Sequence, residues 1–230
     1  MNVAILLASG QGKRMKANKN KALLTLRGKP LIYYSLKIFQ ESDKIDSVLV
    51  VCKKEERDFF EEIIRRYKFD KVENLIEGGL ERQDSAYNAV FYLDESLSSE
   101  EKHLVLFHNG ANPFVTKDEI SRSVKMAKKY GACVVAHPTR DTVKEVDSQG
   151  LVIKTPERKR LWNMQTPQTI EFELAKKAFA QAKKENFVGT DDVSLVERLG
   201  EPVRVIEGSK FNFKITTPID LELAEIILNR

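Results

Sequence analysis

The sequence predicts an α/β fold built on a mostly parallel sheet, and three observations carry that prediction. Short apolar runs alternate with helix-length amphipathic segments from the start to about residue 137. The first apolar run closes on a glycine-rich loop, "ASGQGKRM". From 138 to 162 the alternation stops, and strand-like pieces without core-sized apolar runs surround a "DSQG" turn.

Each element has its own warrant. "VAILLA" (3–8) is short and apolar throughout, as a strand covered on both faces should be. Residues 30–42 open with proline at a helix start, where a missing N–H costs nothing, and continue with apolar residues at helical spacing. "SVLVVC" (47–52) repeats the buried-strand pattern. "KEERDFFEEIIRRYK" (54–68) sets acids first and bases last, the order the helix dipole favours. Residues 71–79 read as a strand ending in a glycine pair, and 82–93 as a helix. A strand at 103–108, a helix at 117–131 stopped by glycine and a strand at 132–137 follow. Beyond the interruption come helices at 171–184 and near 192–199, a strand at 203–207 and a terminal helix from Pro218. Strands separated by helices require crossover connections, so the predicted architecture is Rossmann-like, with helices flanking a mostly parallel sheet. We expect one domain over 1–230, with 138–162 protruding from it as a β-hairpin arm. Ligands of such sheets sit beyond the carboxyl ends of the strands, which directs attention to the loops after residues 8, 77, 108 and 137.

Composition narrows the function. No run approaches eighteen apolar residues, so no membrane span is expected, and "MNVAILLASG" offers no basic leader for a signal peptide. Cys52 and Cys133 lie in apolar runs and read as reduced core residues, which points to the cytoplasm. Three histidines without a CxxC match no zinc pattern. Net charge is only +4, yet the first forty residues hold eight lysines and arginines and no acid. A solvated basic face is the plain alternative, but such faces usually mix signs. Cations gathered at a glycine loop favour a polyanion site. Nucleic acid would call for spread basic stretches with interleaved aromatics, and the aromatics here sit mostly in apolar runs, so no nucleic-acid partner is expected.

The glycine loop itself excludes two well-known readings. A dinucleotide fingerprint needs a third glycine where Met15 stands, and a P-loop needs GKS or GKT. A lone GxG after a strand can be no more than a tight turn. Backbone N–H groups in such a loop can nevertheless cradle phosphates, with Arg14 and Lys21 within reach of the same ligand.

"LLASGQGKRM", Lys21 and "LRGKPLI" together resemble the start of nucleotidyltransferases that activate small phosphates with NTP. "GGLERQDSAYNAV" (78–90), "RDTVK" (140–144), "LWNMQTPQ" (161–168), "TDDVSLVE" (190–197) and "VIEGSKFNFKITTPIDLELAE" (205–225) resemble the 2-C-methyl-D-erythritol 4-phosphate cytidylyltransferase family. The likeness runs through nearly the whole chain in order. It implies transfer of CMP from CTP to a polyol phosphate, with the acceptor phosphate attacking the α-phosphorus in line and pyrophosphate leaving. That nucleophile is already ionised, so positioning and charge stabilisation would carry the rate. By this resemblance Ala8, Ser9, Gly10 and Gly12 wrap the triphosphate, while Arg14 and Lys21 take the charge at the α-phosphate and the pyrophosphate. Gly78, Gly79 and Ser85 receive the cytosine. Lys214, in an apparent strand, holds the acceptor phosphate, with Thr190 and Asn109 beside the substrate. Thr142 and Arg158 match arm residues donated across a homodimer interface, with Arg160 a competitor for the role of Arg158. Mg²⁺ would come bound through the CTP phosphates, without a protein cage. The pair Asp191–Asp192 reads as a helix cap rather than acid–base machinery.

The chain departs from the family pattern in three places. "HNGANP" (108–113) puts Asn109 and Asn112 where the family has Asp and Arg; Asn20 replaces a proline and Ala22 a glutamine. Asn109 keeps a carbonyl acceptor but loses a negative charge. These changes leave two alternatives beside the main reading. One is a cytidylyltransferase for another polyol phosphate such as ribitol 5-phosphate; the other is a CTP-binding homologue with weakened catalysis.

Overall fold

In the computed structural model, which describes residues 1–10, 20–94, 97 and 101–229, the apolar runs assemble into one seven-stranded sheet. Its strands, in chain order, are β1 (Asn2–Leu7), β4 (Ser47–Cys52), β5 (Val72–Glu77), β6 (Leu104–Asn109), β7 (Ala132–Pro138), β10 (Trp162–Glu171) and β11 (Arg204–Glu207). They lie side by side as β11-β7-β10-β6-β1-β4-β5. Only β10 runs against its neighbours, β6 and β7; the other pairings are parallel. The expectation of a mostly parallel sheet flanked by helices therefore holds.

Side-chain alternation along the strands divides the core between the two faces. Val3, Ile5, Leu7, Val105 and Phe107 point into one cluster, which is completed by α3 (Arg82–Asp94), α5 (Phe172–Lys184) and α6 (Val193–Arg198). Ala4, Leu6, Val48, Val50 and Leu106 point into the other, completed by α1 (Leu31–Gln40), α2 (Arg57–Tyr67) and α4 (Lys117–Tyr130). Both faces are covered, which is why these strands read as unbroken apolar runs. A third, smaller cluster joins α7 (Pro218–Ile227) to the short ribbon of β2 (Thr25–Leu26) and β3 (Lys29–Pro30).

The helix signals act as expected. Thr116 and Glu119 close a capping box on α4, and Gly131 ends it with φ +86°. Thr217 and Asp220 do the same for α7, with Pro218 in its first turn. Residues 54–56 form a single 3₁₀ turn, so α2 proper starts at Arg57 rather than at 54. Cys52 and Cys133 are both buried free thiols, and burial pushes them up to about 11 and about 12.

Two expectations need correction. Sequence reasoning assigned no element to 163–170, yet β10 is the longest strand in the sheet. Its middle is polar and buried at Gln165, Thr166, Gln168 and Thr169, and Pro167 cannot donate to a ladder; apolar periodicity misses such a strand. The segment around Lys214 is not a strand. Its backbone bonds include a local one, Phe213 N–H to the Phe211 carbonyl, and a tertiary one, Ile215 N–H to the Ala111 carbonyl, both at 2.9 Å.

Between β7 and β10, β8 (Glu145–Val146) and β9 (Val152–Lys154) pair antiparallel. Asp147 accepts from the N–H groups of Gln149 and Leu151, and Gly150 takes φ +83°, which closes the turn. Val146, Leu151, Val152 and Ile153 are all exposed on this hairpin.

Candidate active site

The carboxyl ends of β1, β4, β5 and β6 surround a cleft of about 630 Å³. Ala8, Ser9 and Gly10 form one wall, Asn20 to Ala22 a second, Lys53 and Glu55 a third, and Gly79 to Arg82 a fourth. Asn109, Ala111 and Lys214 close it. A second cleft of about 480 Å³ adjoins it, lined by His137, Asn163, Gln165, Thr190 and Asn212 among others. Arg82, Asn109 and Lys214 line both.

The first wall is built by close approach. A Cβ on Gly78 would stand 2.6 Å from the Ser9 Cβ, so only glycine lets these two loops touch. Ser9 and Ser85 hydroxyls meet at 2.9 Å, Gly79 N–H donates to Ser85 Oγ at 3.1 Å, and Ser85 donates to the Glu81 carbonyl at 3.1 Å. With its proton committed to Glu81, the Ser85 oxygen accepts from Ser9 and Gly79. Ser85 is buried and does not line the cleft, and neither does Gly78; both shape the wall from behind.

Arg82, at the start of α3, is held by a bidentate bond to Asp192, with contacts of 2.8 and 2.5 Å. Its Nε lies 3.3 Å from Asn109 Oδ1. Asp192 is buried beside α6, so this fork ties the walls of both clefts to one helix start. The cap expected of Asp191–Asp192 is thereby divided. Asp191 accepts from Ser194 N–H at 3.0 Å, whereas the Asp192 side chain caps nothing and pairs with Arg82. Burial opposes the charge of Arg82, but the adjacent Asp192 carboxylate outweighs it and holds the pKa above the ordinary arginine value.

His108 lies under the same floor, fully buried. Its Nε2 donates to the Asn112 carbonyl at 3.0 Å, and Thr166 Oγ1 sits 2.9 Å from Nδ1, where the hydroxyl donates to the neutral ring. Burial pushes its pKa down from 6.5 to about 4. Unfolded chain therefore binds a proton as pH falls through about 6.5, while the folded protein refuses it until about 4. Stability should fall as pH drops across that window, by on the order of 3 kcal/mol, and level off below it. Urea midpoints measured from pH 7 to 4 should show this slope in the wild type and lose it in His108→Gln; parallel slopes would refute it.

Thr190 and Asn109, expected beside the substrate, line the second cleft, and Lys214 lines both clefts. Thr142 and Arg158 line neither; Arg158 begins a 3₁₀ turn, Arg158–Arg160, and donates to the Arg140 carbonyl at 3.3 Å. Gly12 and Arg14 lie outside the described residues. Sequence reasoning gave no role to Lys53, Glu55 or Gln165, whose place depends on contacts made far along the chain.

A family model described as "IspD: 2-C-methyl-D-erythritol 4-phosphate cytidylyltransferase" matches residues 2–230. The chain belongs to this family. The 2-C-methyl-D-erythritol 4-phosphate cytidylyltransferase of Clostridioides difficile (strain 630) is 46% identical over 230 residues, covering 100% of this chain and 94% of the relative. That of Caldanaerobacter subterraneus subsp. tengcongensis is 41% identical and covers 100% of both chains. Among solved structures, the 4-diphosphocytidyl-2C-methyl-D-erythritol synthase of Anaerococcus prevotii superposes with a TM-score of 0.85 at 27% identity, covering 100% of this chain and 98% of that one. The cytidylyltransferase of Francisella tularensis gives 0.81 at 31%, covering 98% of each. As an IspD-family chain, this protein is a cytidylyltransferase, a nucleotidyltransferase.

Proposed function

We propose that this chain transfers CMP from CTP to 2-C-methyl-D-erythritol 4-phosphate, giving 4-diphosphocytidyl-2-C-methyl-D-erythritol and pyrophosphate, a step of non-mevalonate isoprenoid biosynthesis. One observation carries the reading beyond family membership. The cleft lined by Ala8, Ser9 and Gly10 meets the second cleft at Arg82, Asn109 and Lys214, so nucleotide and acceptor would face each other across shared walls.

Ala8, Ser9 and Gly10 present backbone N–H groups to the triphosphate, and Gly12, outside the described residues, keeps the triphosphate role that the resemblance implies. The Gly78–Gly79 turn, held by Ser85, leaves the main chain open to a pyrimidine edge. Lys214 and Thr190 hold the acceptor, and Asn109 accepts from one of its hydroxyls. An acceptor phosphate oxygen attacks the α-phosphorus, the bond to the β-phosphate breaks, and Arg14 and Lys21 receive the charge of the departing pyrophosphate. No side chain need take a proton.

Glu55 and Glu81 line the first cleft on separate walls, and a divalent ion would arrive on the triphosphate oxygens rather than in a protein cage. When bound, Mg²⁺ would withdraw charge from the phosphates. Thr142 and Arg158 line neither cleft of their own chain, which supports their serving a neighbour's site in a homodimer. The exposed Val146, Leu151, Val152 and Ile153 would be covered by that second subunit, giving 138–162 its work as a dimerisation arm. Cytoplasm is the matching compartment, with both thiols kept reduced.

The test is pyrophosphate release from CTP and Mg²⁺ with each acceptor in turn. Turnover should be fastest with 2-C-methyl-D-erythritol 4-phosphate. Faster turnover with ribitol 5-phosphate would replace the acceptor named here, and CTP binding without release for any acceptor would leave a binding protein. Light scattering should give a dimer; full activity as a monomer at nanomolar concentration would overturn the shared site.

A further inference from the structure

Asn20 stands where three walls of the first cleft meet. It is 5% exposed. Its Nδ2 donates to the Ala8 carbonyl and, at 2.6 Å, to Glu56 Oε2, while its Oδ1 accepts from Ala22 N–H at 2.9 Å. Ala8 ends the ladder of β1, with its own N–H bonded to the Val51 carbonyl at 2.8 Å. Glu56 belongs to the 3₁₀ turn that follows β4, next to the cleft residue Glu55. Ala22 lies in the 3₁₀ turn Lys21–Leu23, which Asn20 caps. One side chain therefore fixes the base of the glycine loop, the loop after β4 and the turn that presents Lys21.

The chemistry of the position is narrow. Two donors and one acceptor must sit within a single short side chain. Aspartate would keep the cap on Ala22 but turn lone pairs toward the Glu56 carboxylate and the Ala8 carbonyl. Alanine would leave the Ala8 oxygen short of a donor and the turn uncapped.

We infer that Asn20 is a positioning residue for the transfer, setting Lys21 against the triphosphate held at Ala8 to Gly10. The inference rests on the function proposed above. A displaced lysine costs rate more than nucleotide affinity, because its contact matters most as charge builds on the leaving group.

The experiment compares wild type, Asn20→Asp, Glu56→Gln and the double variant in pyrophosphate release with 2-C-methyl-D-erythritol 4-phosphate, at a temperature where circular dichroism shows each folded. Asn20→Asp should lower kcat at least about tenfold with the KM for CTP within about threefold. Glu56→Gln alone should stay near wild type, since its Oε1 still accepts from Asn20. The double variant should recover part of the lost kcat, because the new amide donates to the aspartate across the contact between positions 20 and 56, while the Ala8 carbonyl stays without its donor. In a Lys21→Ala background, Asn20→Asp should cost little more. Unchanged kcat in Asn20→Asp, a loss confined to the KM for CTP, or a double variant that regains melting temperature but not kcat would each overturn the inference. An inactive wild type would instead bring down the proposed function, and this inference with it; an active wild type with an indifferent Asn20→Asp brings down this inference alone.

Discussion

Lys21→Ala is expected to lower kcat by about 10²–10³ while leaving the KM for CTP within a few-fold. The backbone turn at 21–23 is held by the bonds of Asn20 and by Leu24 N–H to the Lys21 carbonyl at 3.1 Å, none of which involves the side chain that alanine removes. The fold should therefore survive, with an unchanged melting temperature as the check. Ground-state CTP keeps the glycine-loop amides, Lys53 and Lys214 around the cleft. In the proposed mechanism, what disappears is a point charge at the place where pyrophosphate acquires negative charge as the α-phosphate bond breaks. An interaction that strengthens along the reaction lowers kcat when lost; one that binds substrate and transition state equally raises KM. Steady-state kinetics over a CTP series separates the two, and a raised KM with kcat preserved would reduce Lys21 to ground-state binding. Lys21→Arg should recover part of the loss, since it restores charge without the same reach.

How much of this site could be read from sequence depends on the distance over which each part is determined. The apolar runs of β1, β4, β6 and β7 announce themselves, because burial on both faces removes every polar interruption. Ala8, Ser9, Gly10 and Lys21 follow directly from the loop after β1, and they line the first cleft. β10 was illegible for the opposite reason. The side-chain amides of its buried Gln165 and Gln168 donate to partners remote in sequence: Gln165 to the Ser209 and Asn212 carbonyls at 2.8 Å, and Gln168 to Asp191 at 2.9 Å. No local pattern marks a glutamine as buried when its partner lies tens of residues away. The same holds for Arg82, whose place in the motif was legible but whose partner Asp192 lies 110 residues on. Lys214 misled because a lysine between Phe213 and Ile215 imitates strand alternation; only tertiary contact shows Ile215 buried and Lys214 turned to two clefts. Ser85 was expected at the base and lies behind the wall, since its hydroxyl is taken up by Glu81, Gly79 and Ser9.

Asp192→Ala is expected to destabilise the protein by about 2–3 kcal/mol, because it removes a buried carboxylate and its charged fork, while Arg82, about one-third exposed at its side chain, can turn to water in the clefts. For a chain of this size that is a melting-point loss of roughly 5–10 °C. Among the described residues, the Arg82 guanidinium would keep its Nε contact to Asn109, at 3.3 Å. Asp191→Ala gives the contrast. It loses a cap on Ser194 N–H and the bond from Gln168, and should cost closer to about 1 kcal/mol. The sharper test uses Asn109. Because this position carries an amide, Asp192 is the one carboxylate within hydrogen-bond reach of Arg82 among the described residues. Asn109→Asp would offer a second, so Asp192→Ala should cost less in that background than in the wild type, a coupling that a double-mutant cycle by urea unfolding measures directly. The kinetic consequence follows from the same geometry. Arg82 walls both clefts, and releasing it from α6 frees it against nucleotide and acceptor alike, so kcat should fall in Asp192→Ala and return in part with Asn109→Asp. Equal costs in the two backgrounds would show that Asn109 bears no weight on Arg82 and that the amide at 109 acts on the acceptor alone.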